Sequence, residues 1–272
     1  MRLHLLLESL HLNGGNLFDI TVLYRASSNE FLKGYEKAAI HFNGKNRYSH
    51  TFPVRWIEME HSSVAKNMLS FLPSARDLVC IFNDENILFK NPPSFTAIKT
   101  LFDEHNPLAL SLRLGNNTII QNPYSADGYF SEIPPDGKFV LDQFLVWDAA
   151  SVAPYTNFGI PFSINGHIYK NRSLAKILDQ SSSSRIDDLE SEIQPIFYKN
   201  LYDELPSALS CLEYSIAIHN SSQKITDTDQ QHLGLELGDL NKRYLQSQTI
   251  DLDYIPFEHI SMPFEHFVLK FH

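Results

Sequence analysis

Hydrophobic and polar residues recur with two periods along the first part of the chain, and they predict helices alternating with strands. Leucines at helical spacing between Leu3 and Leu10 predict a first helix, which Asn13-Gly14-Gly15 ends. The β-branched and aromatic residues from Phe18 to Tyr24 predict a buried strand. A second helix is predicted from Glu30 to Phe42, with its cap among residues 27–29.

The alternation continues through the first third of the chain. Residues 52–60 predict a strand, and residues 61–71 predict a third helix with Ser62 or Ser63 near its cap. The apolar run from Asp77 to Phe82 is typical of a central strand covered on both faces. This pattern predicts an α/β fold with a central, mostly parallel sheet that contains both apolar strands.

The rest of the chain has fewer regular patterns. Residues 116–161 are rich in Asn, Pro, Tyr and Gly, which indicates an irregular, substrate-facing half rather than a separate domain. The other predicted elements are strands at 107–114 and 215–219, helices at 173–178, 186–198 and 238–246, and a polar segment at 221–231.

Composition excludes several classes of protein. The 272 residues carry 32 acidic and 22 basic side chains and a net charge of −10, which argues against a broad nucleic-acid surface but not against a local cationic pocket. The two cysteines, Cys80 and Cys211, are too few for a disulfide framework or a four-thiolate zinc site. We expect both to be small apolar core residues.

No segment predicts an integral membrane span or a signal peptide. The most apolar stretch, from Leu3 to Leu12, is interrupted by His4, Glu8 and His11. The sequence-based expectation is therefore a cytoplasmic protein.

The candidate chemistry lies in Asn83-Asp84-Glu85-Asn86, which follows the apolar 77–82 strand directly. Ligands of α/β sheets bind at the carboxyl ends of strands, and carboxylates placed there suit a hard cation such as Mg²⁺ or Mn²⁺. Such a cation would neutralise charge on a leaving diphosphate. The alternative is a turn in which the Asn and Asp side chains cap backbone groups.

Five blocks spanning nearly the whole chain resemble GT-A fold glycosyltransferases of a bacterial, family-two-like group. The resemblance implies one GT-A-like domain over residues 1–272, a three-layer α/β/α fold with a central, mostly parallel sheet. Its nucleotide-binding half is expected at 1–115 and its acceptor-side half at 116–272. The blocks are FDITVLYRASSNEFLKGYE, IFNDENILF, LALSLRLG, GIPFSINGHIYKNRSL and LNKRYLQSQTIDL.

The resemblance assigns the acidic turn to the donor. Asp84 matches the first carboxylate of the family motif, expected near the ribose or the metal. Glu85 and Asn86 stand where the group has Asp and Asn, so the three residues are expected to hold Mn²⁺ or Mg²⁺. The expected donor is a nucleoside diphosphate sugar, and the acceptor is not indicated.

Four basic residues are further candidates on the donor and acceptor sides, each with a structural alternative. Arg25 faces the diphosphate or is a surface residue at a helix start. Lys66 points into the same pocket or into solvent. Arg113 ends a strand and binds phosphate or an acceptor carboxylate, or pairs with a structural carboxylate. His167, in Asn165-Gly166-His167, contacts sugar, diphosphate or metal, or is a satisfied core residue.

An inverting transferase needs a general base, which the resemblance places at the start of the 186–198 helix. Glu190 matches the acidic position best, and Asp187 and Asp188 are close rivals. Acidic residues in a first helical turn also stabilise the helix dipole without any catalytic role. Trp147 is open to two interpretations, stacking on a sugar or packing in the core.

Members of the resembled group begin with a strand and a nucleotide-binding loop before the first helix. Here Met1 lies almost at the start of that helix. The resemblance therefore implies that the first strand of the sheet is missing or is supplied by another segment. The alternative to an enzyme is a non-catalytic GT-A-like protein that binds a partner or a glycan.

Overall fold

The computed structural model describes residues 1–44, 53–60, 62–122, 130–154, 156–220, 237–255, 257 and 270–272. The predicted polar segment at 221–231 lies outside these residues. The α helices are α1 Arg2–Gly14, α2 Asn29–Asn43, α3 Val64–Phe71, α4 Phe95–Glu104, α5 Asn171–Leu178, α6 Ile186–Ile196 and α7 Leu237–Leu245. The strands are β1 Thr21–Tyr24, β2 Arg55–Glu58, β3 Leu78–Ile81, β4 Asn86–Leu88, β5 Ala109–Gly115, β6 Ile120–Asn122, β7 Phe130–Glu132, β8 Lys138–Val140, β9 Phe144–Asp148, β10 His167–Lys170, β11 Ala208–Leu212 and β12 Ala217–His219.

The predicted helix ends of the first third are confirmed by their capping contacts. Helix α1 ends at Gly15, whose φ of 53° is a left-handed conformation that favours glycine. Ser28 caps α2 by accepting a hydrogen bond from the backbone N–H of Phe31. Ser63, not Ser62, caps α3 in the same way.

The main sheet has six strands in the order β3-β10-β5-β11-β9-β8. Only β5 and β11 pair in parallel, and the other four neighbouring pairs are antiparallel. The α/β class is confirmed, but the central, mostly parallel sheet is wrong. Strand β10 runs opposite to both β3 and β5 and lies between them, so one inserted strand makes two antiparallel pairs. No α helix precedes β10 in the described part of the loop after β9, whereas parallel crossovers usually carry one.

The two apolar strands expected in one sheet lie in different sheets. Strand β1 pairs in parallel with β2 in a separate two-stranded sheet, whereas β3 is an edge strand of the six-stranded sheet. The parallel β1-α2-β2 unit is the part of the predicted pattern that forms as expected.

Helices cover both faces of the six-stranded sheet, and successive strand residues face the two layers alternately. Leu110 and Ile168 pack in a core with α1 and α4. Their neighbours Ala109 and Tyr169 pack in a second core with α3, α5 and α6. These two cores hold the carboxyl end of β3 and the loop before β10 in fixed positions.

Helix α7 returns from the end of the chain and packs on α2 near its beginning. Asn241 donates a hydrogen bond to the backbone oxygen of Glu30 at 2.9 Å. Lys37 donates to the backbone oxygen of Tyr244 at 2.6 Å, at the carboxyl end of α7 where a cation is favourable. A Cβ atom at Gly34 would lie 2.3 Å from the side-chain oxygen of Asn241, so any larger residue there would force the Asn241 side chain to move.

Among the described residues, no helix is long and apolar enough to cross a bilayer.

Candidate functional site

The acidic tetrad forms a turn at the carboxyl end of β3. The backbone N–H of Asn83 donates to the side-chain oxygen of Asn86 at 2.9 Å, and the N–H of Glu85 donates to the side-chain oxygen of Asn83 at 2.9 Å. The capping alternative is therefore present in the structure, since two of the four side chains close the turn. This leaves Asp84 at the tip, exposed and on the rim of a cavity.

The cavity has a volume of about 1150 Å³ and lies between β1 and β3. Its walls are mainly apolar, and Asp84, Tyr24, Arg25 and Tyr35 line it at the end where the two strands finish. Ligand sites commonly measure about 300–1,000 Å³, so this space is large enough for a substrate. The position also follows the rule that ligands of α/β sheets bind beyond the carboxyl ends of strands.

The surroundings of Asp84 oppose its ionisation. Desolvation by neighbouring protein atoms raises the pKa of this carboxyl, the Glu85 carboxylate acts in the same direction, and Arg2 acts against both. Tyr35 responds to the same group: desolvation raises the pKa of its hydroxyl, and the negative charge of Asp84 raises it further. Asp84 and Tyr35 are therefore electrostatically coupled across the rim of the cavity.

Among the described residues, Glu85 contacts Arg2 and His219. Its Oε1 accepts a hydrogen bond from Arg2, at the start of α1. Its Oε2 lies 3.3 Å from Nε2 of His219. Strand β12 brings His219 to this position because it pairs with β4 and places His219 opposite Asn86. Neither Arg2 nor His219 was expected at the site, and no motif marks either residue in the sequence.

The predicted metal ligands do not fit a divalent cation in this arrangement. Glu85 is neutralised by Arg2 and faces His219, while the side-chain oxygen of Asn86 already accepts the N–H of Asn83. Asp84 alone remains free of such contacts among the three, whereas Mg²⁺ and Mn²⁺ require several oxygen ligands. Among the described residues, no group of three or more His, Cys, Asp or Glu side chains is placed to hold a metal ion.

A chain of side-chain hydrogen bonds joins the turn to Glu190 on α6. The side-chain amide of Asn86 donates to the side-chain oxygen of Asn165 at 3.2 Å, and the amide of Asn165 donates to Oε1 of Glu190 at 3.1 Å. The same Oε1 accepts hydrogen bonds from the Ser163 hydroxyl and the Ile164 N–H, each at 2.7 Å. Within the described residues, Oε2 of Glu190 has no hydrogen-bond partner. Glu190 thus anchors the loop before β10 with one oxygen and leaves the other available.

Arg113 and His167 lie deeper in the protein than predicted for residues that touch a substrate. Arg113 is 2% exposed and donates to the side chain of Asn157 at 3.4 Å. Desolvation lowers its pKa to about 10, although the charges of Glu190 and Glu132 act in the opposite direction. The pairing of Arg113 with structural carboxylates is therefore the alternative that this arrangement favours.

His167 is the first residue of β10 and is 3% exposed. Its Nδ1 lies 3.3 Å from the backbone oxygen of Asn165. Desolvation and, to a smaller extent, the positive charge of Arg113 together lower its pKa to about 3. The imidazole is therefore neutral at ordinary pH, and its position corresponds to the core alternative.

The remaining candidates are on the surface. Arg25 is exposed at the end of β1 and lines the rim of the cavity. Lys66 is exposed on α3 and does not line that cavity. Asp188 is exposed in the first turn of α6, where its carboxylate lies 3.5 Å from Nε of Arg185. The structure thus places Arg25 and Asp84 on the rim of one cavity. Glu190 does not line this cavity and is linked to the turn through Asn165 and Asn86, whereas Lys66 and Asp188 lie apart from both.

Trp147 is a core residue. It is 4% exposed, and its indole Nε1 donates to the backbone oxygen of Phe158 at 3.0 Å. The sugar-stacking interpretation does not fit this burial.

No protein-family model matches this sequence. No curated protein matches it with a significant score.

Proposed function

We propose that this protein binds a nucleoside diphosphate sugar at the Asp84 end of the cavity and transfers the sugar to an acceptor hydroxyl. The observation that carries the proposal is the continuous polar chain Asn86–Asn165–Glu190, which couples the turn holding Asp84 to a carboxylate with one available oxygen. A donor site and a base held by one rigid network suit a transfer reaction, which requires reacting groups in a fixed geometry.

In this proposal Asp84 accepts hydrogen bonds from the ribose hydroxyls of the donor. Arg25 lies on the same rim and pairs with the diphosphate, a role that suits the planar guanidinium. Arg2 also lies beside Asp84, but its charge is paired with Glu85, so the diphosphate is assigned to Arg25. The proposed reaction does not involve Mn²⁺ or Mg²⁺, because Glu85 and the side-chain oxygen of Asn86 are engaged by protein groups.

The proposed step is a single displacement. The acceptor oxygen forms a bond to the anomeric carbon, the bond from that carbon to the diphosphate oxygen breaks, and the diphosphate leaves with the electron pair. Oε2 of Glu190 takes the proton of the acceptor hydroxyl as general base. The Glu190 carboxylate and the buried guanidinium of Arg113 attract each other electrostatically, which raises the pKa of Arg113 against the effect of its burial.

The test is donor binding and hydrolysis by wild-type protein and matched variants. Calorimetric titration uses UDP-glucose, UDP-N-acetylglucosamine, GDP-mannose and dTDP-glucose, each with and without MnCl₂. Release of the nucleoside diphosphate, with water as acceptor, measures turnover. Asp84→Asn is expected to weaken donor binding by about tenfold, equivalent to about 1.4 kcal/mol. Glu190→Gln is expected to bind the donor within about twofold of wild type and to lose about 10²–10⁴-fold in turnover.

Asp188→Asn is the matched control for the base, because Asp188 lies on the same helix but is exposed and close to Arg185. It is expected to leave binding and turnover unchanged. If none of the four donors binds with or without Mn²⁺, the proposal is wrong. If Glu190→Gln retains wild-type turnover, the base assignment is wrong even where the donor binds.

A second candidate function is a non-catalytic protein that binds a glycan or a partner. It is favoured by one observation: Oε1 of Glu190 accepts three hydrogen bonds from the loop before β10, as a structural anchor does. Donor binding without release of a nucleoside diphosphate would support this candidate over the transferase.

A further inference from the structure

Strands β1 and β3 face the same cavity with edges that no described strand pairs. Among the described strands, β1 pairs only with β2, and β3 pairs only with β10. All four residues of β1 and all four residues of β3 line the cavity. Paired neighbouring strands lie about 4.7–4.9 Å apart and are joined by hydrogen bonds. Here a cavity of about 1150 Å³ lies between β1 and β3 instead, so the facing edges of both strands present backbone N–H and C=O groups toward it.

The two edge strands run in the same direction. At their amino ends, Arg76 before β3 forms an ion pair with Asp19 before β1, with a distance of 2.7 Å. At their carboxyl ends, Tyr24 of β1 contacts Tyr35 with ring centroids 4.7 Å apart, and both tyrosines line the cavity together with Asp84, which follows β3. The amino ends of β1 and β3 therefore lie close together, as do their carboxyl ends, so the two strands are parallel.

Helices enclose the cavity on both faces. Leu6 and Leu10 of α1 line one side and belong to the same core as Leu78 and Cys80 of β3. On the other side, Val64 and Met68 of α3 line the cavity and pack in the core that includes Val79 and Ile81. An occupant would therefore meet apolar side chains on both of its faces, as a central strand of an α/β sheet does.

Two local features of the cavity walls indicate that the cavity suits an occupant that the described residues do not supply. Every residue of β3, Leu78–Ile81, is apolar yet only partly buried, although the strand lies between two helix layers. The buried hydroxyl oxygen of Thr21, which lines the cavity, has no hydrogen-bond partner in the described part of the chain. Buried hydroxyl groups are normally hydrogen-bonded, so this group marks an unsatisfied polar position on the β1 wall.

We propose that this cavity, the strand slot, accepts one extended peptide strand that runs parallel to β1 and β3. The occupant is about four to six residues long, because the strand walls are four residues each and a strand rises about 3.3 Å per residue. It carries apolar side chains on both faces. Its insertion joins the two sheets into one, in the order β2-β1-occupant-β3-β10-β5-β11-β9-β8.

A peptide fits the slot better than an acyl chain or another apolar small molecule. Filling the slot with hydrocarbon would cover the apolar walls but leave the facing N–H and C=O groups of both edges without partners. Leaving buried backbone groups without hydrogen bonds is unfavourable, and a paired strand satisfies such groups on both sides. The strand would lie between β1 and β3, whereas the proposed sugar donor lies beyond their carboxyl ends at Arg25 and Asp84, so the slot can be filled whether or not the protein transfers sugars.

The test adds a synthetic peptide to the full chain and follows backbone hydrogen exchange by mass spectrometry. The probe, Lys-Asp-Leu-Val-Ala-Ile-Phe-Lys, copies residues 77–82 with Ala in place of Cys80 and a Lys at each end for solubility. The control peptide replaces Val and Ile with Pro, which removes two backbone donors. Each is used at about 1 mM, which detects dissociation constants in that range.

Strand insertion predicts at least tenfold slower exchange in β1 and β3 with the probe and no change with the proline peptide. Strand β9 lies at the far side of the six-stranded sheet and should show no change with either peptide. Three results would each overturn the proposal. They are no slowing in β1 and β3, equal slowing by both peptides, and equal slowing by sodium decanoate, which would make the slot an acyl site.

Discussion

Asn165 connects the acidic turn to helix α6 by accepting a hydrogen bond from Asn86 and donating one to Glu190, at 3.2 and 3.1 Å. Its side chain is 8% exposed, so both hydrogen bonds lie in an environment with little competing water. One amide therefore sets the position of the acidic turn relative to the base candidate.

Asn165→Ala is expected to lower the free energy of unfolding by about 1–3 kcal/mol, because it leaves buried groups of Asn86 and Glu190 without a partner. Urea denaturation measures the change. Asn116→Ala is the control, since Asn116 is exposed and its replacement should change stability by less than about 0.5 kcal/mol. Equal effects of the two substitutions would contradict a structural role for the Asn165 link.

The pH dependence of stability should report the burial of His167. Its pKa falls from 6.5 to about 3 on folding, so the unfolded chain binds a proton that the folded protein lacks between these values. The free energy of unfolding should therefore decrease as the pH falls from about 6.5, with a contribution of up to about 1.4 kcal/mol per pH unit. Above pH 6.5 this histidine contributes no pH dependence, because both states are neutral.

The measurement compares urea denaturation of wild-type protein and His167→Gln at several pH values below 6.5. The variant should lose stability less steeply with falling pH, whatever its absolute stability. Parallel pH curves for the two proteins would show that His167 titrates alike in the folded and unfolded states.

Ser63→Ala should destabilise the protein by about 1 kcal/mol, because the Ser63 hydroxyl oxygen caps α3 through the N–H of Lys66. Ser62→Ala is a control of the same chemistry one residue earlier, where the side chain is exposed. Thermal denaturation of both variants should separate them. A larger effect of the Ser62 substitution would show that the cap lies one residue earlier.

Trp147→Phe should cost about 1–3 kcal/mol, because it removes the donor to the buried backbone oxygen of Phe158. Trp56→Phe is the matched control, since the indole nitrogen of Trp56 has no hydrogen-bond partner among the described residues. Chemical denaturation of the two variants tests the difference. An equal loss of stability would show that ring size, not the hydrogen bond, sets the effect at residue 147.

Local signals in the sequence predicted the first elements because those elements depend on neighbouring residues. The glycine stop after α1, the Ser28 cap and the apolar run of β3 are each readable within a few residues. The order of the six-stranded sheet was not readable in this way. It depends on β10 entering between β3 and β5, a choice that involves contacts across roughly 60–90 residues and leaves no local signal.

In the candidate site, too, the local part could be predicted from the sequence and the long-range contacts could not. The apolar strand followed by a polar turn predicted the place of Asp84, since both belong to one short segment. Arg2 and His219 could not be predicted, because they reach Glu85 from elements 83 and 134 positions away in the sequence. These contacts change the chemistry of the turn, because Glu85, an expected metal ligand, is instead part of an ion pair with Arg2.

The packing of α7 on α2 determines when this protein can complete its fold during synthesis. Lys37 and Tyr244 are 207 positions apart, and their contact joins the two helices. At about 5–20 residues per second, a ribosome takes roughly 10–40 s to make the intervening chain. Throughout that interval the face of α2 that receives α7 has no cover, so the nascent chain should be most sensitive to aggregation and proteolysis before residue 245 emerges.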